Sequence, residues 1–221
     1  MIIAEYVRVD EPQQWPLLRQ VGVEHAILRL PEAPDGSMRT DLASVRAAVD
    51  QLAHNGLTVV GIEPVPPMEL VKAGDEGRDA QLDHLTQLLA SMDALDIRLL
   101  CYNFMAVFGW SRSRWGVPGR GGALVTAFDR DDFEPSDDAE RSLTEEQLWA
   151  NYSYFLDRVL PEAEKYGIDL ALHPDDPPLS PYRGVARIMR TPEAIARALS
   201  LSDSPRHGLT FCQGTFSTMG A

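Results

Sequence analysis

Short apolar runs alternate along the chain with segments in which apolar residues recur every three or four positions. The runs have the length of β-strands and fall at residues 2–7, 25–30, 57–62, 97–101, 168–172 and 208–212. Helical spacing fills the intervals: Leu42, Val45 and Val49, for example, share one face of a predicted helix that ends at Gly56. Strands that alternate with helices in this way predict βαβ units and a parallel sheet.

The last four runs are almost continuously apolar, which is typical of strands that are covered on both faces. A closed barrel of eight strands and eight helices takes about 250 residues, whereas this chain has 221. The predicted fold is therefore α/β, a parallel (β/α) barrel of the TIM type with six of its eight strands. The length suits a single large core, so we expect residues 1–221 to form one incomplete barrel domain.

Residues 105–140 interrupt this alternation. Four glycines lie between residues 116 and 122, and an acidic stretch follows at 129–140. We predict no regular element here, and a long segment without one is often a lid or a binding loop. The expectation is a long inserted loop at the active-site face.

The charge of the chain narrows its partners. With 20 basic and 33 acidic residues its net charge is −13, which argues against binding to duplex nucleic acid and to anionic membranes. No apolar stretch reaches the roughly 20 residues of a spanning helix, and the first residues do not read as a signal peptide. We expect a cytoplasmic protein whose two cysteines, Cys101 and Cys212, are free thiols.

Polar residues stand where five of the predicted strands end. They are Arg29, Glu63, Asn103, His173 and Cys212. In a parallel barrel such strand ends meet at one mouth, and the imidazole of His173 and the thiol of Cys212 are good transition-metal ligands. Each residue alone has an ordinary structural explanation, and two ligands do not complete a zinc-type site. Five in succession nevertheless favour a pocket.

Two further features near these positions have alternative interpretations. Arg112 lies between Trp110 and Trp115, an arrangement suited to gripping a carboxylate or a sugar, or else to a loop packed by its own aromatic rings. Asp175 and Asp176 follow His173 closely. They would either orient its imidazole or form the turn that a Pro-Asp-Asp-Pro sequence favours.

Several segments resemble the signature sequences of the mannonate dehydratase family. They are CYNFM at 101–105, LALHPDDPP at 170–178 and LTFCQGT at 209–215, with EPVP at 63–66. The similarity extends from residue 2 to the end of the chain. A small departure is Ala106, where the family often has proline.

The resemblance implies a xylose-isomerase-like barrel that converts D-mannonate to 2-keto-3-deoxy-D-gluconate in hexuronate catabolism, with Mn²⁺ or Fe²⁺ as the cofactor. His173 and Cys212 would correspond to two of the family's metal ligands. The family's other two ligands and its catalytic tyrosine lie on later strands, so the catalytic residues are expected beyond Ala221. The implied partner is a small-molecule sugar acid, and assembly into a homo-oligomer is left as an open question.

The implied reaction explains why a metal is needed. Removal of the proton next to a carboxylate leaves an enediolate, which a divalent cation stabilises as a Lewis acid, while a general acid and base move the protons. We expect Arg112 to clamp the substrate carboxylate, and Asn103 or Glu63 to bind substrate hydroxyls. Without the later strands, this chain alone is expected to bind metal weakly and to turn over little.

Two other functions are open at this point. A sugar isomerase or epimerase could use the same barrel, because a fold does not determine a reaction, although hard-ion isomerase sites favour carboxylates over a thiolate such as Cys212. Alternatively, the chain is an inactive fragment that only binds sugar acids or serves as a subunit of a larger assembly.

Overall fold

The computed structural model describes residues 1–33, 37–132 and 142–220. Its central sheet has six strands in the order β1-β2-β3-β4-β7-β8, and every neighbouring pair is parallel. These strands are β1 (Ala4–Val7), β2 (His25–Leu28), β3 (Thr58–Ile62), β4 (Leu99–Asn103), β7 (Asp169–His173) and β8 (His207–Leu209); β5 (Arg114–Pro118) and β6 (Leu124–Ala127) form a separate hairpin. The prediction of a parallel sheet built from alternating strands and helices is confirmed.

Within the described residues, seven α-helices connect or follow the strands. They are α1 (Trp15–Gln20), α2 (Leu42–His54), α3 (Glu69–Ala73), α4 (Arg78–Asp93), α5 (Glu145–Tyr166), α6 (Pro192–Leu199) and α7 (Gln213–Thr218). The longest, α5, begins with a capping box, in which Thr144 and Gln147 bond each other's backbone N–H groups. It ends at Gly167, whose φ of 66° closes the last turn without steric cost.

The two faces of the sheet differ in composition. On the outer face, the face that packs against helices, the strands place large apolar side chains that are almost wholly buried: Leu28, Ile62, Leu100, Tyr102, Leu170 and Leu172. On the inner face, which in a closed barrel lines the lumen, the same strands place Ile27 and Leu99 beside Gly61, and otherwise small or polar residues: Cys101, Asn103, Ala171 and His173. Alternation along each strand thus separates the core from the polar groups.

The sheet is open in the described part of the chain, because β1 and β8 each pair with a single neighbour. Apolar side chains near these two edges are exposed, including Ile3 at 71% and Phe211 at 67%. Unpaired edges and exposed apolar groups favour association with other surfaces.

Two strand boundaries differ from the prediction in a way that affects the site. β4 runs to Asn103, two residues beyond the predicted end, so Asn103 lies on the strand rather than after it. β8 ends at Leu209, and the prediction that it reaches Cys212 is wrong. Cys212 is instead the N-cap of α7, where its carbonyl accepts from the N–H of Phe216.

The expectation that residues 105–140 lack regular structure is wrong for their described part. β5 and β6 pair antiparallel, and Gly121 and Gly122, with φ of 69° and 83°, let the connection between them turn back. Arg114 ties the hairpin to the following turn through Asp129 and Asp132. Residues 133–140, with most of the acidic stretch, lie outside the described residues, as does Ala221.

Among the described residues, no helix is both long and apolar enough to cross a membrane. A single barrel domain over residues 1–221, with the 105–140 segment at its active-site face, stays a prediction.

Candidate active site

The polar residues that end β4 and β7 are neighbours in the sheet. Asn103 and His173 are register partners at the carboxyl ends of the two strands, and Glu63 directly follows β3 on the other side of β4. Because the strands are parallel, these three residues lie at the same end of the sheet, where its strands have their carboxyl ends, as predicted from their positions.

The ring of His173 is oriented by the backbone. Its Nδ1 lies 2.7 Å from the carbonyl oxygen of Pro174. A carbonyl only accepts hydrogen bonds, so Nδ1 carries the proton in the neutral ring and Nε2 carries the lone pair. That is the form in which an imidazole binds a metal ion.

The two carboxylates after His173 have other partners. Asp175 accepts from the N–H of Met189 at 2.7 Å, and Asp176 pairs with Arg112. The acceptor that orients the imidazole of His173 is therefore the carbonyl of Pro174 and not either aspartate.

Cys212 lies in the wall of a cavity of about 490 Å³. The cavity is bordered by the hairpin, by the segment after β7 and by α7, through residues that include Arg112, Phe128, Asp176, Pro177, Cys212 and Thr215. The hydroxyl of Thr215 donates to Cys212 Sγ at 3.1 Å. His173, Asn103 and Glu63 are not among the described residues that line this cavity.

Arg112 is bound within the chain. Its Nη1 and Nη2 each lie 2.8 Å from one oxygen of Asp176, and its guanidinium stacks over Trp110 at 4.3 Å. Trp110 in turn meets Trp115 edge to face at 5.5 Å. The paired rings fit the interpretation of a loop packed by its own aromatics, while the Arg112–Asp176 pair joins the start of the hairpin to the segment after β7.

Cys101 belongs to a small inner-face cluster. Its Sγ contacts Thr210 Oγ1, which donates to the carbonyl of Ala171 at 3.2 Å. Burial raises the pKa of the Cys101 thiol to about 12, and the nearby charge of Glu63 adds to the effect. Cys101 is therefore a buried, protonated thiol at neutral pH, in agreement with its prediction as a free thiol.

A buried polar chain on the outer face was missed in the sequence. The hydroxyl of Tyr152, on α5, lies 2.9 Å from the hydroxyl of Tyr102 and 3.0 Å from Nε2 of His207. Burial raises the pKa of both tyrosines and lowers the pKa of His207. Only the packing of α5 against the sheet brings these residues of β4, β8 and α5 together, and no local sequence pattern marks them.

The donors that suit a metal ion are few. Within the described residues no group of three or more His, Cys, Asp and Glu side chains lies close enough to hold one. His173 and Cys212 remain ligands suited in kind to a transition metal.

Sequence comparison identifies the family. A family model described as D-mannonate dehydratase (UxuA) matches residues 3–143 and 135–220. The chain belongs to the D-mannonate dehydratase family.

Individual relatives agree with this assignment. The chain is 30% identical to a mannonate dehydratase of Oceanobacillus iheyensis, over 95% of this chain and 67% of that protein. It is 34% identical to one of Streptococcus agalactiae, over 74% of this chain and 53% of that protein. The chain thus spans about half to two thirds of the length of these curated relatives.

Solved structures lead to the same fold. Mannonate dehydratase from Streptococcus suis serotype 2 superposes with a TM-score of 0.88 at 29% identity, covering 98% of this chain and 65% of that one. D-psicose 3-epimerase from Clostridium cellulolyticum reaches 0.60 at 13% identity, covering 95% of this chain and 62% of the other. The second likeness is one of fold alone. Together they place the six-stranded sheet in the TIM-barrel class.

Proposed function

We propose that this chain carries the first part of a mannonate dehydratase site, which dehydrates D-mannonate to 2-keto-3-deoxy-D-gluconate. The observation that carries the proposal is the family match over nearly all of the chain. The structure is consistent with it, because the polar strand ends lie at one edge of the sheet, as a barrel active site requires.

His173 and Cys212 are proposed as metal ligands. The proton on Nδ1 of His173 leaves Nε2 ready to coordinate, and Cys212 is partly exposed in the cavity wall. A thiolate and an imidazole suit Mn²⁺ less than they suit Fe²⁺, and we retain both ions as candidates. The remaining ligands would come from the part of the family fold that this chain does not span.

A divalent ion would supply Lewis acidity for the removal of the proton next to the substrate carboxylate. Asn103 and Glu63, at the ends of β4 and β3, are proposed to bind substrate hydroxyls. Arg112 is proposed to meet the substrate carboxylate from the cavity wall. Its salt bridge to Asp176 would hold the guanidinium in place while it does so.

The segment at 105–140 is proposed to cover this site, since Ala127 and Phe128 line the same cavity as Cys212. A cover of this kind would exclude water while the substrate is bound. The proposed partner is a small-molecule sugar acid.

The first test measures metal binding and turnover together. Co²⁺ is titrated into the chain, because a thiolate ligand adds a charge-transfer band to the Co²⁺ spectrum, and D-mannonate is then assayed with Mn²⁺ for 2-keto acid. We expect weak Co²⁺ binding with a thiolate band that Cys212→Ser abolishes, and little turnover beside a full-length relative. Cys101→Ser is the matched control and should keep the band.

Three outcomes would contradict the proposal. Co²⁺ binding without a thiolate band, or a band that survives Cys212→Ser, would remove Cys212 from the site. Turnover of aldoses or ketoses but not of hexonates, in the chain or in a full-length protein that contains it, would favour an isomerase or epimerase instead.

A further inference from the structure

Two oppositely charged side chains are buried together behind the segment that follows His173. Asp175 is completely buried and Arg187 is 2% exposed. The backbone joins their two segments, because the N–H of Asp175 donates to the carbonyl of Met189 at 2.9 Å and the N–H of Met189 donates to Oδ2 of Asp175 at 2.7 Å. In the described chain, Oδ1 of Asp175 and both Nε and Nη1 of Arg187 have no hydrogen-bond partner. The two opposite charges attract each other without a direct hydrogen bond between the side chains.

The same arginine holds the segment that leads into the hairpin. Arg187 Nη2 donates to the carbonyl of Phe108 at 2.8 Å and to that of Gly109 at 3.2 Å. Hydrogen bonds from a charged donor are stronger than neutral ones, and a buried donor has no water to replace them. Arg187 thus fixes the backbone three residues before Arg112.

The segment at 105–109 is held at three points and is strained. Buried Lys72 donates to the carbonyl of Met105 at 2.9 Å, and Glu69 accepts from the N–H of Val107 at 2.9 Å. Val107 has a φ of 63°, which a β-branched residue adopts only when its surroundings impose it. Three separate contacts from α3 and Arg187 supply that constraint.

A second bridge lies on the cavity side of the same two segments. Arg112 and Asp176 are joined by two hydrogen bonds of 2.8 Å, and the N–H of Asp176 donates to Met105 Sδ at 3.4 Å. The segments after β4 and β7 are therefore joined both at the cavity wall and behind it.

We propose that Arg187 is a positioning residue, which sets the place of the hairpin base relative to the segment that carries His173. It does so by bonding Phe108 and Gly109 while compensating the charge of Asp175. The link between the two segments stands on the contacts alone, whereas its importance for metal and substrate binding rests on the proposed function.

Hydrogen exchange of the backbone tests this link directly. Arg187→Lys keeps the charge, but its shorter side chain does not bring a donor to the position of Nη2, which bonds the carbonyls of Phe108 and Gly109. We expect amides in 104–112 and 174–180 to exchange about tenfold faster, corresponding to about 1.4 kcal/mol, with β1 to β3 unchanged. The matched control is Arg206→Lys, which loosens the exposed pair of Arg206 with Asp169 and should leave both segments unchanged.

A charge-rescue experiment covers the case in which a variant is too unstable. Arg187→Met leaves Asp175 buried without its partner and should lower the Tm by roughly 10 °C. Adding Asp175→Asn removes the uncompensated charge and should recover part of that loss. Unchanged exchange in the two segments of the lysine variant, or no recovery in the double variant, would overturn the proposal.

The Co²⁺ titration separates this proposal from the function proposed above. If the chain binds Co²⁺ through Cys212, Arg187→Lys should weaken that binding by about tenfold, and unchanged affinity would overturn the positioning role. If the unmodified chain gives no thiolate band, the proposed metal site fails, while the exchange and rescue results still decide whether Arg187 links the two segments.

Discussion

The outer and inner faces of β4 and β7 separate two tasks that share the same ten residues. The outer face presents Leu100, Tyr102, Leu170 and Leu172, all essentially inaccessible to water. The inner face presents Cys101, Asn103, Ala171 and His173. Cys101 and Ala171 are buried, whereas Asn103 and His173 are partly exposed. Because neighbouring residues point to opposite faces, one strand can contribute to the core and to the site without either compromising the other.

A substitution on the outer face should have the largest effect on stability. Leu172→Ala leaves a cavity between the sheet and its helices, and we expect it to lower the free energy of unfolding by about 3 kcal/mol. Urea unfolding followed by circular dichroism measures the change. A loss below about 1 kcal/mol would mean that the outer face is not the rigid side of the sheet.

The adjacent residue tests the inner face. His173→Ala should lower the affinity for Co²⁺ by roughly a hundredfold, since the free energy of binding is shared among a few ligands. Its half-buried ring contributes little to packing, so the free energy of unfolding should change by less than about 1 kcal/mol. Titration calorimetry and urea unfolding of the same sample give both values, and a large stability loss with intact metal binding would reverse the assignment.

A polar group on the outer face should matter less than an apolar one. Tyr152→Phe removes the hydroxyl that joins Tyr102 to His207, and we expect the free energy of unfolding to fall by about 1.5 kcal/mol, because the hydroxyl of Tyr102 stays buried and His207 is partly buried. Tyr154→Phe is the control, since the hydroxyl of Tyr154 bonds Asp79 at the exposed surface. Equal losses in the two variants would show that the buried hydroxyl chain has no special weight.

The smallest effect concerns pH. Burial lowers the pKa of His207 below its ordinary value of 6.5, so below that value the unfolded state binds more protons than the folded state. Stability should therefore be fully present above pH 6.5 and decline as the pH falls through that value toward the folded pKa. In His207→Gln, the difference between the free energies of unfolding at pH 7.5 and at a pH below 6.5 should become smaller than in the unmodified chain. If the free energy of unfolding depends on pH as strongly in this variant as in the unmodified chain, other groups cause the pH dependence.

Part of the fold was predictable because strands and helices have different periods. The βαβ order, the capping box at Thr144 and the positions of Asn103 and His173 all follow from local pattern. The end of β8 was misplaced, because an apolar run does not reveal that Cys212 starts a helix. The hairpin was missed because β5 and β6 are largely exposed and lack a strong alternation.

The site divides in the same way. The chemical types of His173 and Cys212, and the family, could be recognised from the order of residues alone. The partners of these residues could not, because Pro174, Thr215 and Asp176 act through the paths of the backbone and of neighbouring segments. No local pattern marks Arg187 as buried, and its role is visible only from its contacts with Phe108 and Gly109.

The sequence by itself determined the alternating elements, the family and the residues that we propose as metal ligands, since these depend on periodicity and side-chain chemistry. The tertiary structure alone decided which nitrogen of His173 bears the proton, that Arg112 is bound to Asp176, and which buried charges compensate each other. The pairing of Arg112 with Asp176 depends on the distance between segments far apart in the chain, and only the packing of the sheet and its helices sets such distances, whereas the proton position on His173 depends on the path of the backbone at the adjacent Pro174.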